Sequence, residues 1–464
     1  MNSHASLEQN EKMLRERLSE SSDFKVSSIT VNGRKLCLYY LESMIDTSAV
    51  QNHILQPLLS LQWTQIREAV SILDYCETDI LDEAITAIVE GKTVVQLDGA
   101  STLYVLGTEL KKERSVNLPV NERVLRGSNE ALIENLQTNL NLMRKMVATP
   151  DLVVRTYKLG KISNTNVAVI YLRSVVNNDV LAEFERRIGR VDTDFVEAPG
   201  FLQELIQDKK FSLFPRMLVT ERPDRVKAYL MSGKIVILAD GAPDCLIVPV
   251  TFWAFFQSAD DYQLGWLIGS SMRLLRIVCF MLAISMPAAY VALVTFDPRI
   301  IPFDIALTLQ SSMQYIAMTP IIEAVVMLIT LEILREATIR LPNPIGQTIG
   351  VVGGIVIGTV VVQSNLVSNM MLIVVAFTAV ASFLIPSYEM SSAARYLTYP
   401  FITLSATFGL IGLELAFLML FTHLARIHTM GIPYFFSGVN GETVLDTLVR
   451  GPIKMLTKRR KLRR

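Results

Sequence analysis

Hydrophobic and polar positions follow two regimes that change near residue 270. Before that point, apolar residues come in short runs interrupted every few positions by a charge. After it come long stretches with almost none. "LLRIVCFMLAISMPAAYVALVTF" (274–296) has the length of a helix crossing a hydrocarbon core of ~30 Å. "IAMTPIIEAVVMLITLEIL" (316–334) is a second such segment, interrupted by Glu323 and Glu332. "IGVVGGIVIGTVVV" (349–362) is apolar but short. It leads through Gln363, Ser364 and Asn365 to "MMLIVVAFTAVASFLIP" (370–386), and "FITLSATFGLIGLELAFLMLF" (401–421) closes the series.

Lys/Arg placement orients these segments. Arg273 and Arg276 precede the first, Arg335 and Arg340 follow the second, and a basic tail follows the last. One side for all three requires an even number of crossings. Four full spans satisfy this if 349–362 is a short re-entrant or interfacial element, which its glycines suit. Arg395 then falls on the opposite side. Five or six crossings are the alternatives.

The first 260 residues read as a duplicated α/β region. "ITVNGRKLCLYYLES" (29–43) places Asn32-Gly33 between β-rich runs, a hairpin signal. "YKLGKISNTNVAVIYLRS" (157–174) repeats it. "LDEAITAIVEGKTVVQLDGASTLYV" (81–105) matches "PDRVKAYLMSGKIVILADGAPDCLIV" (223–248): an amphipathic helix, Gly-Lys, a β run, Asp-Gly-Ala and another β run. The apolar spacing of "SNEALIENLQTNLNLMRKMV" predicts a linking helix over 128–147. The fold class expected is multidomain. A polar extension (1–23) precedes α/β subdomain 1 (24–127), a linker helix (128–150) and α/β subdomain 2 (151–262). An all-α transmembrane domain (263–430) and a C-terminal basic tail (431–464) follow.

Composition supports a membrane protein and removes other classes. Apolar residues make up 51% and charged residues 19%, and mean hydropathy is +0.37. Lys+Arg and Asp+Glu balance at 44 each, so no net charge recommends a nucleic acid as partner. The N-terminus is polar and lacks the apolar core of a signal peptide. Cys37, Cys76, Cys245 and Cys279 are scattered, without disulfide or metal spacing. His4, His53, His423 and His428 do not cluster with a nucleophile, and "GVVGGIVIG" lacks the strand that a phosphate loop needs. "DTDFVE" (192–197) reads as a solvated acidic loop. The reading is therefore not an enzyme, with no cofactor and no metal.

The chemistry lies in the apolar half, where ionisable groups are costly unless paired or wet. Glu332, Arg335 and Glu336 stand three and four residues apart and share a helix face. They read as a wet mouth or as an interfacial ion-pair cluster. Glu323 and Glu414 have no basic residue within helical reach in their own segments. Each needs a partner helix, a proton or water, and rings of such acids attract cations in pores. Gln363, Ser364 and Asn365 fit a wet passage or helix-to-helix hydrogen bonds. The tail, with Lys458, Arg459, Arg460, Lys461, Arg463 and Arg464, reads as a topogenic signal or as a contact to anionic lipid head groups.

"TLEILREATIRLPNPIGQTIGVVGG" (330–354), the stretch 189–263 and "LIENLQTNLNLMRKM" (132–146) together resemble the A subunit of the GerA-type bacterial spore germinant receptors. The resemblance extends over most of residues 24–450. It departs at Asp244, where relatives often carry Phe, and at 451–456, where they carry an aromatic pair. The resemblance implies a multi-pass protein of the spore inner membrane, and the Lys/Arg placement puts its N-terminal domain and C-terminal tail on the cytoplasmic, spore-core side. It implies two partners, a transporter-like B subunit and a lipoprotein C subunit. It also implies a nutrient-triggered role in germination and a homo-oligomer, a pentamer, that forms a gated cation channel. A non-conducting scaffold and a related late-sporulation membrane paralogue are the alternatives.

Overall fold

The structure, a computed structural model, describes residues 2–452 apart from 32, 61–62, 64, 111–118, 120–121, 123, 125–126, 198, 209–211, 305, 308–312, 317, 341–349, 351–352, 355–356 and 436–446.

Helix α1 (Leu7–Arg17) opens the first repeat. Strands β1 (Phe24–Val31), β2 (Arg34–Leu41) and β3 (Tyr75–Thr78), helix α2 (Leu81–Val89), and strands β4 (Thr93–Leu97) and β5 (Leu103–Leu106) follow. The second repeat has α3 (Leu136–Met146), β6 (Leu152–Leu159), β7 (Thr165–Leu172), α4 (Asn178–Ile188), α5 (Pro199–Ile206), β8 (Leu218–Thr220), α6 (Pro223–Met231), β9 (Ile235–Ala239) and β10 (Cys245–Val248). Each forms a five-stranded sheet, in the orders β1-β2-β4-β5-β3 and β6-β7-β9-β10-β8. The two orders are the same, and every neighbouring pair is antiparallel.

The duplication extends to single hydrogen bonds. After α2, Gly91 takes a positive φ of 96° and Lys92 N–H returns to Ala87 O. After α6, Gly233 takes 78° and Lys234 N–H returns to Tyr229 O. Both are glycine-terminated helix ends whose orphan carbonyls are satisfied. Gly99 and Gly241, at φ 82° and 85°, turn the next strand. Gly99 N–H bonds Ala5 O, and Gly241 N–H bonds Glu134 O, two residues before α1 and α3 respectively. Asn10 and Asn139 each clasp the backbone six residues earlier, at His4 and Ile133.

Residues 7–17 are thus the first helix of a repeat, packed through Leu7, Asn10 and Leu14. The expected helix over 128–147 begins only at Leu136. Asn135 caps it by accepting Thr138 N–H at 2.9 Å, and the preceding residues are held extended by Leu132 N–H on Glu221 O. Alternation along the strands gives each sheet two apolar faces. Tyr39, Val94 and Val105 pack under α1 and α2, while Leu36, Leu38 and Val95 pack on the helical turns of 47–60 and 66–69. In the second repeat, Val154, Ile170 and Leu238 face α3 and α6. Val153, Val169 and Ile237 face α4 and α5. Each fully buried side chain of this kind contributes about 1.5–3 kcal/mol.

The helical region holds α7 (Trp266–Thr295), α8 (Pro320–Arg340), α9 (Asn369–Phe383) and α10 (Tyr388–Arg426). Two of them, α7 and α10, are long and apolar enough to cross a membrane. Helix α10 is not one rod. At Gly409 the backbone takes φ 62° and ψ −141°, and two helical arms meet there. Phe401 and Phe417 lie on opposite arms with ring centroids 5.0 Å apart; along a straight helix they would be about 24 Å apart. The arms therefore fold back as a hairpin. The expected span at 401–421 is corrected accordingly, because its centre is the turn.

Both ends of α10 lie beside the α/β region, and its turn lies at the far end of α7, where Gly409 meets Phe296. Gly353 packs beside Leu334 near the end of α8, whereas Ser368 reaches Glu323 at its start. Arg395 lies 3.2 Å from Glu332, the carboxylate that also faces Arg335. Arg395 accordingly falls at the same end as Arg335, and its expected placement opposite is corrected.

The two regions share one apolar core. Phe252 and Phe256, in a short 3-10 turn, meet Phe280 of α7 with centroids 5.7 and 5.4 Å away. Beneath it, fully buried Asp261 faces Arg273 at 3.4 Å and Arg276 at 2.7 Å. Arg450 Nη1 donates to Asp261 O at 2.6 Å, which fastens the chain's last described residues to the base of α7.

Candidate functional site

Proline 320 starts α8 and the apolar residues that follow hold it against α7 and α9, so Glu323 enters the bundle on its first turn. Glu323 is 0% exposed. Its Oε1 accepts from Ser368 N–H at 2.5 Å and from Ser368 Oγ at 2.6 Å. Ser368 is the N-cap of α9 and accepts Met371 N–H at 3.1 Å. Tyr290 of α7 places its hydroxyl 3.1 Å from Ser368 Oγ. The carboxylate of α8 thus sits at the positive end of the α9 dipole, and Tyr290 of α7 reaches it only through Ser368. Its second oxygen, Oε2, is buried and has no hydrogen-bond partner.

A second polar group lies near the end of the bundle beside the α/β region. Glu332 Oε2 is 3.7 Å from Arg335 Nη1 on its own helix and 3.2 Å from Arg395 Nε on α10. Arg335 also donates to Ser382 Oγ of α9 at 3.3 Å and lies over the Phe383 ring at 4.8 Å. One carboxylate shared by two guanidiniums fastens α8 to α9 and α10 there. Glu336 takes no part: it pairs with Arg340 at 2.5 Å on the exposed surface.

The remaining candidates lie elsewhere. Gln363, Ser364 and Asn365 are exposed beyond the short helical segment Ile357–Val361, with Asn365 at a positive φ of 51°. Glu414 is exposed on the second arm of α10, on a face with Ile411 and Leu418. Lys458, Arg459, Arg460, Lys461, Arg463 and Arg464 lie outside the described residues. Sequence reasoning missed Tyr290, Ser368 and Arg395. Ser368, just before an apolar helical run, carried an N-cap signal. Nothing along the chain pointed to the other two. Among the described residues, no group of three or more His, Cys, Asp or Glu could hold a metal ion.

The model of the "Bacillus/Clostridium GerA spore germination protein" family matches residues 12–462. The chain belongs to this family. This GerA-family chain is 35% identical over 447 residues to spore germination protein A1 of Bacillus subtilis (strain 168), covering 94% of this chain and 92% of that one. It is 33% identical over 433 residues to spore germination protein GerLA of Bacillus cereus, covering 91% and 88%. It is 34% identical over 439 residues to the uncharacterized membrane protein YfkQ of Bacillus subtilis (strain 168), covering 92% and 85%. The crystal structure of the N-terminal domain of the A subunit of the Bacillus megaterium spore germinant receptor GerK3 aligns with 54% of this chain and 98% of its own, at 24% identity and TM-score 0.41.

Proposed function

We propose that this chain is the membrane subunit of a spore germinant receptor, which responds to nutrients by opening a path for cations across the spore inner membrane. It does so as a homo-oligomer, a pentamer in the form the family resemblance suggests. A transporter-like B subunit and a lipoprotein C subunit are its partners. The α/β region and the basic tail lie on the spore-core side, with the tail against anionic lipid. Family membership over residues 12–462 supports the process. The observation that carries the ion role is Glu323, an acid enclosed by apolar helices with one oxygen unpartnered. Glu414, exposed on an apolar face, and the polar Gln363, Ser364 and Asn365 are the other groups offered to an ion path.

A second reading, a non-conducting scaffold, is favoured by the same geometry read differently, because Glu323 also caps α9. Potassium release from germinating spores separates the two. Wild type is compared with Glu323→Gln and Glu323→Lys at equal subunit abundance. Slowed release with Gln and lost release with Lys support conduction. Wild-type release in both moves the chain to the scaffold reading.

A further inference from the structure

The two α/β repeats meet through a polar joint, and the duplication leaves both halves of that joint present a second time. Within the chain, the α3 face of the second repeat supplies Gln137, Asn141 and Arg144. Gln137 donates to Glu42 O at 3.0 Å and Asn141 to Ser43 O at 2.9 Å. Arg144 pairs with Asp23, whose carboxylate also accepts from Ser21 and Ser43. Helix α1 aligns with α3 residue for residue through Asn10 and Asn139. Glu8, Lys12 and Arg15 thereby stand where Gln137, Asn141 and Arg144 stand. All three are exposed, and a groove runs along them. Arg15 lies over the Phe24 ring at 5.6 Å, and Arg144 reaches the matching residue of β6 at Leu152 O.

The receiving half is repeated as well. Aligning β1 with β6 and β2 with β7 sets Asp151 against Asp23 and Ser174 against Ser43. The hydrogen bonds agree. Glu42 N–H goes to Asp23 O and Arg173 N–H to Asp151 O. Ser43 Oγ donates to the Asp23 carboxylate and Ser174 Oγ to that of Asp151. Arg173 and Ser174 are exposed, and among the described residues no basic side chain pairs with Asp151. Arg15, for its part, pairs only with Glu11 of its own helix.

We infer that the α1 face of one copy docks on the Asp151–Ser174 corner of a second copy, with Arg15 taking the place at Asp151 that Arg144 holds at Asp23. The charges are complementary: Glu8 comes opposite Arg173, and Lys12 can donate to Ser174 O as Asn141 does to Ser43 O. Two bonds of the internal joint have no counterpart. Pro150 stands for Ser22 and has no N–H to give, and Glu16 stands for Lys145 and has no donor. The contact between copies is therefore weaker than the one inside each chain. The docking and receiving faces differ, so the contact is head to tail and passes from copy to copy until a ring closes. The inference deepens the homo-oligomer reading and rests on it.

The test uses the purified full-length chain in neutral detergent, with no partner subunit, and follows its mass by light scattering as concentration rises. Wild type is expected to associate. Arg15→Glu and Asp151→Arg each place like charges together and should each weaken association about tenfold or more. Association should return when the two variants are mixed, because each then supplies the charge that the other lacks. A monomeric wild type overturns the proposal and the homo-oligomer reading together. Wild-type association that both reversals leave intact, or that mixing does not restore, overturns this surface alone. If Asp151→Arg does not fold, Glu8→Arg and Arg173→Glu take the same test, and unchanged association in both overturns the surface.

Discussion

Arg144, on the first helix of the second repeat, forms a two-pronged pair with Asp23, the residue before the first strand of the first. Nη2 lies 2.7 Å from Oδ1 and Nε 3.1 Å from Oδ2. Arg144 also donates to Leu152 O and Ser21 Oγ, and Ser43 Oγ donates to Asp23. The side chains are 1% and 7% exposed. This buried polar knot helps to join two units whose apolar cores are separate, beside Ser22 N–H on Val154 O at 2.7 Å and Asn141 Nδ2 on Ser43 O at 2.9 Å.

Removing either partner leaves the other charge buried and alone, so Asp23→Asn is expected to cost about 3–5 kcal/mol. Burial pushes the Asp23 carboxyl up, but the Arg144 charge and the hydrogen bonds from Arg144, Ser21 and Ser43 outweigh it and hold the group below 3.8. Its stabilisation is therefore fully present above the unfolded value and is lost as pH falls through the folded one. Unfolding followed between pH 7 and pH 2 should show wild type losing stability below about pH 4, with Asp23→Asn losing much less. Parallel curves for the two proteins would contradict this account of the pair.

Gly409 should tolerate no side chain. Its φ of 62° and ψ of −141° lie where L-residues are strained by about 1–3 kcal/mol, and an added Cβ would sit 3.1 Å from Phe296. Gly409→Ala is expected to lower the unfolding midpoint of the purified chain and its abundance in spores. Gly358→Ala is the control: nothing lies within 4 Å of a Cβ built there. Equal behaviour of the two variants would show that α10 is not held as a hairpin.

Glu332 and Arg395 should be coupled across helices. A double-mutant cycle with Glu332→Gln and Arg395→Gln is expected to give about 1 kcal/mol of interaction. The same cycle on Glu336 and Arg340, whose side chains are 56% and 77% exposed, should give under about 0.5 kcal/mol. Coupling confined to the second pair would reverse the assignment of which charges fasten α8.

Lys92 and Lys234 occupy the same position in the two repeats and should titrate differently. The hydrogen bond from Lys92 to Asp74, 2.8 Å away, raises the Lys92 ammonium above its ordinary value. Burial alone lowers Lys234 to about 8. Between about pH 8 and the unfolded value near 10.4, the unfolded chain therefore binds more protons at Lys234, and its penalty fades as pH rises. Lys234→Met should raise the midpoint at pH 7 and raise it less at pH 10. Lys92→Met should lower it at both. A Lys234→Met gain that does not shrink between pH 7 and pH 10 would refute the buried-ammonium reading.

What the chain alone determined was set by local chemistry. Asp98-Gly99 and Asp240-Gly241 require positive φ, and the runs around them alternate with period two, so two related α/β units were legible before any contact was known. The long apolar runs and the charges of Glu323, Glu332 and Arg335 inside them were equally plain, because a carboxylate among apolar residues is anomalous wherever the helix goes. Only the tertiary structure decided the rest. Asparagine 135, not spacing, fixed where α3 begins. The hairpin at Gly409 could not be read from hydropathy, since an apolar run looks the same straight or folded back. Arg395 looked isolated because its partner Glu332 lies on another helix. Ser368 meets Glu323, and Tyr290 meets Ser368, for the same reason: a side chain selects its neighbours by distance in space, and sequence separation carries no record of that distance.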